Sequence, residues 1–152
     1  MAHEITLRPV SRENVRAVCE LELAPGQEPL VAPAAFTVAE GHYEPGAVLR
    51  AVYRGETPVG VLLVEVETGT PYLVRFMIGA AHQRAGTGRR AVALLEAELA
   101  AAGWTRLEVS FSPVEGGAEG FWRRCGFADT GRRLHGEPVF ARELQPPART
   151  TS

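Results

Sequence analysis

The sequence predicts a single α/β domain, a mixed sheet flanked by helices. Three observations lead to it. β-Branched, alternating runs cluster at 48–53, 59–66 and 72–78,. A strand, a glycine-rich turn and an amphipathic helix then follow one another directly between 72 and 102,. Finally, 152 residues with 45% hydrophobic side chains suffice to close one core, and neither an internal repeat nor a dividing linker is present,.

Residues 4–9 read as a short strand. Ser11 offers a helix N-cap ahead of Val15, Val18 and Cys19, which share an apolar face,. Pro, Gly and Gln between 24 and 33 break regular structure, and a second short helix is expected over 37–42 before Pro45-Gly46 ends it,. Strands 48–53 and 59–66 are joined by Arg54-Gly55-Glu56-Thr57-Pro58, the composition of an antiparallel hairpin turn,. After strand 72–78 and the glycine turn, residues 89–102 place Val92, Leu95, Leu99 and Ala102 on one helix face, with Gly103 as the terminator,. Residues 106–111 form a strand and 117–125 a helix closed by Gly126, and the stretch up to 144 holds two final strands. The domain is expected to span 3–144, with 145–152 a disordered tail.

A net charge of −2 excludes nucleic-acid binding through a large basic surface,. The charge is nevertheless uneven, with five Arg against ten acids before residue 75 and eleven Arg against eight acids from there on. Such asymmetry suits an anionic cofactor and a cationic substrate, and equally an ordinary solvated imbalance. Met1-Ala2-His3-Glu4 lacks a basic start and an apolar run, and no stretch approaches the ~18 apolar residues of a membrane span,. A cytoplasmic protein without membrane partners is expected. Cys19 and Cys125 occupy apolar helix positions and read as small buried hydrophobes rather than a disulfide,.

The turn Gln83-Arg84-Ala85-Gly86-Thr87-Gly88 joins a strand to a helix start, where backbone N–H groups lack intrahelical partners and the helix dipole is positive,. Gly86 and Gly88 permit positive φ and close approach of a pyrophosphate, with Arg84, Arg89 and Arg90 at the rim,. Alone, the motif also reads as a tight connection. A dinucleotide loop needs Gly-x-Gly-x-x-Gly and a triphosphate loop needs Gly-Lys-Ser/Thr, and neither is present,.

On Gln83, Gly86 and Gly88, together with the hairpin Thr57-Pro58-Val59-Gly60 and the helix-ending Gly126-Phe127, the chain resembles the GCN5-related N-acetyltransferase (GNAT) superfamily over 5–144. Arg75-Phe76-Met77-Ile78 and Ser110-Phe111-Ser112-Pro113 look like bacterial diamine or spermidine acetyltransferases. The resemblance implies a mostly antiparallel sheet with one splayed strand pair and about four helices. It also implies acetyl-coenzyme A as co-substrate, a small-molecule amine as acceptor, no metal, and a possible homodimer. Backbone groups of Phe76, Met77 and Ile78 would pair with the pantetheine arm, and those of Arg84, Ala85, Gly86, Thr87 and Gly88 would take the pyrophosphate beside Arg89. Ala118, Phe121 and Trp122 share a helix face that the family sets beside the thioester and that also reads as a core stripe.

Relatives carry Asn near the start of the last helix and a proton-donating Tyr within it, where this chain has Glu115 and Trp122. An indole N–H is not an acid at neutral pH, but a thiol of pKa ~8.5 departs nearly unaided. An alkylammonium is only about 0.1% neutral at pH 7, equivalent to about 4 kcal/mol of barrier, so a base must serve. Where polyamine acetyltransferases place an acidic pair, this chain has Val74 and Arg75. Arg75 either braces the fold or meets a substrate carboxylate. Glu65, Glu28, His42 and Glu44 are the candidate bases, with relay through water from Glu28 or Glu65 preferred, although Glu65 also reads as the solvent end of its strand face,. Two other functions fit these residues: a non-catalytic acyl-coenzyme A sensor, and an acetyltransferase for an amino acid, peptide or antibiotic amine.

Overall fold

The computed structural model describes residues 4–25, 32–67, 69–83, 86–114 and 117–147. In chain order the elements are β1 (Ile5–Pro9), α1 (Val15–Cys19), α2 (Ala34–Tyr43), β2 (Val48–Arg54), β3 (Thr57–Glu65), β4 (Tyr72–Ile78), a 3-10 turn (Ala80–His82), α3 (Thr87–Ala101), β5 (Arg106–Ser110), α4 (Glu119–Arg124), β6 (Ala128–Leu134) and β7 (Glu137–Glu143). The strands form one sheet in the order β1-β2-β3-β4-β5-β7-β6. All neighbours are antiparallel except β4 and β5, whose parallel pairing requires the crossover that α3 supplies,.

The β4–β5 pair is short, and its shortness shapes the molecule. Pairing covers Tyr72↔Glu108 and Leu73↔Val109 and then stops. Against β3, Arg75 pairs with Leu63 and Leu73 with Val64, so Val74 is an extra residue on β4. A bulge of this kind bends and twists its strand, and here it stands where β4 turns away from β5. The splayed pair is thus present, with the cleft-side edge of β4 open beyond Leu73.

Each face of the sheet carries its own apolar layer. One joins α3 and α4 to the strands through Val92, Leu95, Leu99, Trp122, Leu107 and Phe140; the other joins α1 and α2 through Val18, Ala34, Ala51, Val61 and Met77. Central β3 is sandwiched, with Val59 and Val61–Val64 all fully buried, which is why it reads as a continuous apolar run,. On α2, Gly41 lets the helix ride close to the sheet: a Cβ there would stand 3.0 Å from Leu63 and 3.1 Å from Leu49.

Several boundaries differ from the sequence reading. Asn14, not Ser11, is the N-cap of α1, because the Asn14 Oδ1 accepts the Ser11 N–H and closes a turn before the helix starts. The hairpin turn between β2 and β3 narrows to Gly55-Glu56, with Gly55 at φ 58°. Helix α2 starts earlier than expected, directly after Pro33,. Gly103 and Gly126 terminate α3 and α4 as expected, at φ 97° and 92°. The bonds Trp104 N–H to Leu99 O and Phe127 N–H to Trp122 O close a Schellman motif at each end,. Both cysteines are free, Cys125 buried and Cys19 half-buried. No described helix is long and apolar enough to cross a membrane. Of the expected tail, Gln145–Pro147 has no regular structure and 148–152 lie outside the described residues.

Candidate active site

Where β4 and β5 part, a cleft of about 920 Å³ opens between them, bounded by the α3 start at one end and by the α4 aromatics and the β6–β7 hairpin on its far side. Its β4 wall follows from the alternation of a strand. Gly79 donates to Val59 O on β3, so the amides of Ile78 and Phe76 face away from β3 and into the cleft, while that of Met77 faces β3,. The Ile78 carbonyl on the cleft side already accepts the Gln83 Nε2 amide at 2.9 Å. Gln83 therefore links the last residue of β4 to the turn behind it.

Gly86 is the N-cap of α3, in the left-handed region at φ 72°. Beyond its own chain neighbours, no described atom lies within 4 Å of where its Cβ would stand, so it faces open space. The first intrahelical bond of α3 runs from Arg90 N–H to Gly86 O, which leaves the amides of Thr87, Gly88 and Arg89 without i−4 partners,. No side-chain cap is made at Gly86. Three amides and the positive end of a 15-residue helix thus meet at the cleft mouth, with Arg89 among the lining residues, a setting that suits a pyrophosphate,. The Thr87 side chain is buried and committed to the Arg54 guanidinium, which anchors the helix start to β2. A Cβ on Gly88 would stand 3.3 Å from the Phe121 ring, so this glycine lets α4 close against the α3 start. Arg84 and Ala85 lie outside the described residues.

On the α4 side, Phe76, Phe121, Trp122 and Phe127 form a chain of ring contacts with centroids 4.9–6.1 Å apart. Ala118, Phe121 and Trp122 line the cleft, and Trp122 also belongs to the core at 4% exposure. The shared face is therefore both core stripe and cleft wall. Cys125 is buried at the end of α4, and that burial pushes its thiol up, away from the reactive thiolate,.

The opposite wall is polar. Tyr72, at the apex, exchanges a hydrogen bond with Ser110, whose hydroxyl donates to Glu137 Oε1 at 3.3 Å. Arg75 also lines the cleft, pairs with Glu40 at 3.5 Å and sits over the Phe36 ring at 5.6 Å, a bracing role between β4 and α2. Glu65 does not line the cleft. It stands opposite Tyr72 across the β3–β4 pair, and its carboxyl is pushed up, chiefly by burial and next by the charge of Glu40. Glu44 is pushed up as well, chiefly by a hydrogen bond with Glu67. Glu28 and Glu115 lie outside the described residues. His42 is on α2 in edge contact with Tyr43, and neither it nor Glu44 lines the cleft.

The Glu65 shift has a testable sign. A carboxyl whose folded pKa lies above its unfolded value contributes stability that is complete below the unfolded value and is lost as pH rises through the folded one. Ionised Glu65 therefore weakens the fold at neutral pH. Glu65→Gln is expected to raise the melting temperature at pH 7 and to leave it near wild type at pH 4, whereas an equal gain at both values contradicts this reading.

Sequence reading brought together Phe76, Ile78, Gln83, Gly86, Thr87, Gly88, Arg89, Ala118, Phe121 and Trp122, all of which line this one cleft along with Met77. It missed Tyr72, Ser110 and Glu137 as site residues. No spacing signals their meeting, because they come from β4, β5 and β7 and are united only by the strand order.

Comparison with known proteins agrees with this geometry. No curated protein sequence matches the chain. Among solved structures it is similar to an acetyltransferase from Thermus thermophilus (21% identity, 95% of this chain and 100% of the other, TM-score 0.78). It is also similar to the PaiA N-acetyltransferase of Thermoplasma acidophilum in complex with coenzyme A (10%, 92% and 99%, 0.70). A third similar structure is the ribosomal-protein-S18-alanine N-acetyltransferase of Escherichia coli (16%, 98% and 99%, 0.70). At these identities the likeness speaks to the fold. The family model described as "Acetyltransferase (GNAT) family" matches residues 15–127, which include the sheet centre, the glycine turn and the α4 wall. The chain therefore belongs to the GNAT acetyltransferase family, an acyltransferase family with acetyl-coenzyme A as its co-substrate.

Proposed function

We propose that this protein acetylates a primary amine of a small molecule by direct attack within a ternary complex. The observation that carries the reading is the continuous path from the uncapped α3 start along the open edge of β4 to the apex at Tyr72 and Leu73. Residues present fit each part of acetyl-coenzyme A. The amides of Thr87 to Arg89 would hold its pyrophosphate, the cleft-facing edge of β4 at Phe76 and Ile78 its pantetheine arm, and the Phe121–Trp122 wall would shield the thioester from water. When bound, the co-substrate supplies the activated acyl group. A β4 amide facing the cleft, that of Ile78 or Phe76, would stabilise the carbonyl oxygen as charge develops on it. A covalent route through Cys125 is disfavoured by the burial of its thiol.

A second reading, an acceptor carrying a carboxylate such as an amino acid or peptide amine, is favoured by Arg75, a cleft-lining residue whose side chain is one-third exposed although paired with Glu40,. The polyamine-like reading rests on the sequence look of 75–78 and 110–113. Thiol release from acetyl-coenzyme A with a panel of spermidine, aminoglycosides, free amino acids and short peptides separates these classes. Turnover with at least one primary amine is expected. Coenzyme A binding without turnover across the panel would instead support a non-catalytic module.

A further inference from the structure

Acetyl transfer to an amine needs somewhere to send the amine's proton, and the cleft contains a built path for it. Tyr72, Ser110 and Glu137 come from three adjacent strands, all line the cleft, and form an unbroken chain from Tyr72 Oη to Ser110 Oγ to Glu137 Oε1. The chain begins at the apex. An arm seated at the α3 start and following β4 back from Ile78 to Val74 covers about 13 Å, at ~3.3 Å per residue, which brings its reacting end to where the strands part beside Tyr72,. Glu137 sits at the other end of the chain, on the half-exposed start of β7.

Resting on the acetyl-transfer reading above, we propose that Tyr72, Ser110 and Glu137 form the proton relay of the reaction, with Tyr72 Oη receiving the proton from the acceptor nitrogen. As the C–N bond forms, the nitrogen becomes acidic and its proton passes to Tyr72 Oη. The phenol proton moves to Ser110 Oγ and the serine proton to the Glu137 carboxylate. Both hydroxyls end neutral as they began, Glu137 ends as the carboxylic acid and returns the proton to solvent, and the C–S pair leaves on sulfur as thiolate.

Neighbouring carboxylates do not compete for this place. Glu65, at the end of β3 directly opposite Tyr72, lies among Glu40, Glu67 and Arg75 and outside the cleft lining. Glu108 on β5 is held by Arg106 at 3.1 Å and by Arg132 at 2.8 Å. Burial pushes the Tyr72 phenol up, with the charges of Glu137 and Glu65 adding to the rise and Ser110 and Arg75 opposing it, so the hydroxyl remains protonated and able to pass its proton onward.

The test uses the full chain and whichever panel amine turns over. Tyr72→Phe is expected to lower kcat about 100-fold at pH 7, within the range for general acid–base catalysis, without changing coenzyme A affinity. The deficit should shrink as pH approaches 9, where hydroxide can take the nitrogen's proton in place of the relay. Ser110→Ala and Glu137→Gln should show the same pH-dependent loss, and Ser110→Thr, which keeps the hydroxyl, should restore activity. A Tyr72→Phe enzyme with unchanged kcat, or with a deficit equal at every pH, overturns the relay while leaving acetyl transfer intact. Failure of the wild type with every amine overturns the acetyl-transfer reading, and the relay with it. Independently of turnover, ring-labelled tyrosine NMR, assigned through Tyr72→Phe, should show the Tyr72 titration midpoint fall in Glu137→Gln; an unmoved midpoint overturns the proposed coupling.

Discussion

Gly86→Val is expected to weaken coenzyme A binding by at least ~100-fold, about 2.7 kcal/mol, while the protein still folds. Two effects add. The residue at the N-cap of α3 has φ 72°, a conformation that costs a non-glycine residue roughly 1–2 kcal/mol and a β-branched one more,. Its side chain would also project into the open space at the cleft mouth, where the amides of Thr87, Gly88 and Arg89, which lack i−4 partners, would meet a phosphate,. Strain appears in the melting temperature and obstruction in calorimetry, so the two separate. Gly86→Ala carries similar backbone strain with less bulk and should lie between wild type and valine in affinity. Wild-type affinity in Gly86→Val would contradict the placement of the anion.

Phe140→Ala should produce a comparably large effect on stability rather than binding. Phe140 is the largest fully buried side chain, at 0% exposure on β7, with its ring edge-on to Phe111 at 4.8 Å and beneath the Arg123 guanidinium at 4.9 Å. Truncation of such a residue costs about 3–5 kcal/mol, because the transfer energy of the ring is lost and the surrounding sheet and helices cannot collapse fully into the space. For a domain of this size that corresponds to a drop of roughly 10–15 °C in melting temperature. Since Phe111 also lines the cleft, the β5 wall should loosen and coenzyme A affinity should fall by a smaller factor. A melting temperature within about 3 °C of wild type would contradict the packing described.

The α3 end of the candidate site was legible because it is built locally. Gln83, Gly86 and Gly88 lie within six residues, and a strand ending, a positive φ at Gly86 and a helix start are properties that a short sequence can encode. The α4 wall was legible for a similar reason: Ala118, Phe121 and Trp122 are placed by helical spacing alone. The polar wall of the cleft was not. Tyr72 and Glu137 are 65 positions apart and meet only because β7 inserts between β5 and β6, an arrangement that no local pattern expresses. The bulge at Val74 was equally hidden, since an extra residue in one strand is defined only against its partner. Glu65 shows the limit of strand parity: it stands directly opposite Tyr72 on the same sheet face, yet lies among Glu40, Glu67 and Arg75 and does not line the cleft. Ser11 illustrates a local error, where a competing Asn three residues later captured its amide and moved the helix start.

Residue-resolved NMR of the backbone amides during titration with coenzyme A tests the seating of the co-substrate most directly. The largest shifts are expected at Thr87, Gly88 and Arg89 and at the cleft-facing amides of Phe76 and Ile78, with Met77, whose amide faces β3, moving less. Shifts confined to α1, α2 and β1, with the α3 start and β4 unmoved, would contradict the account.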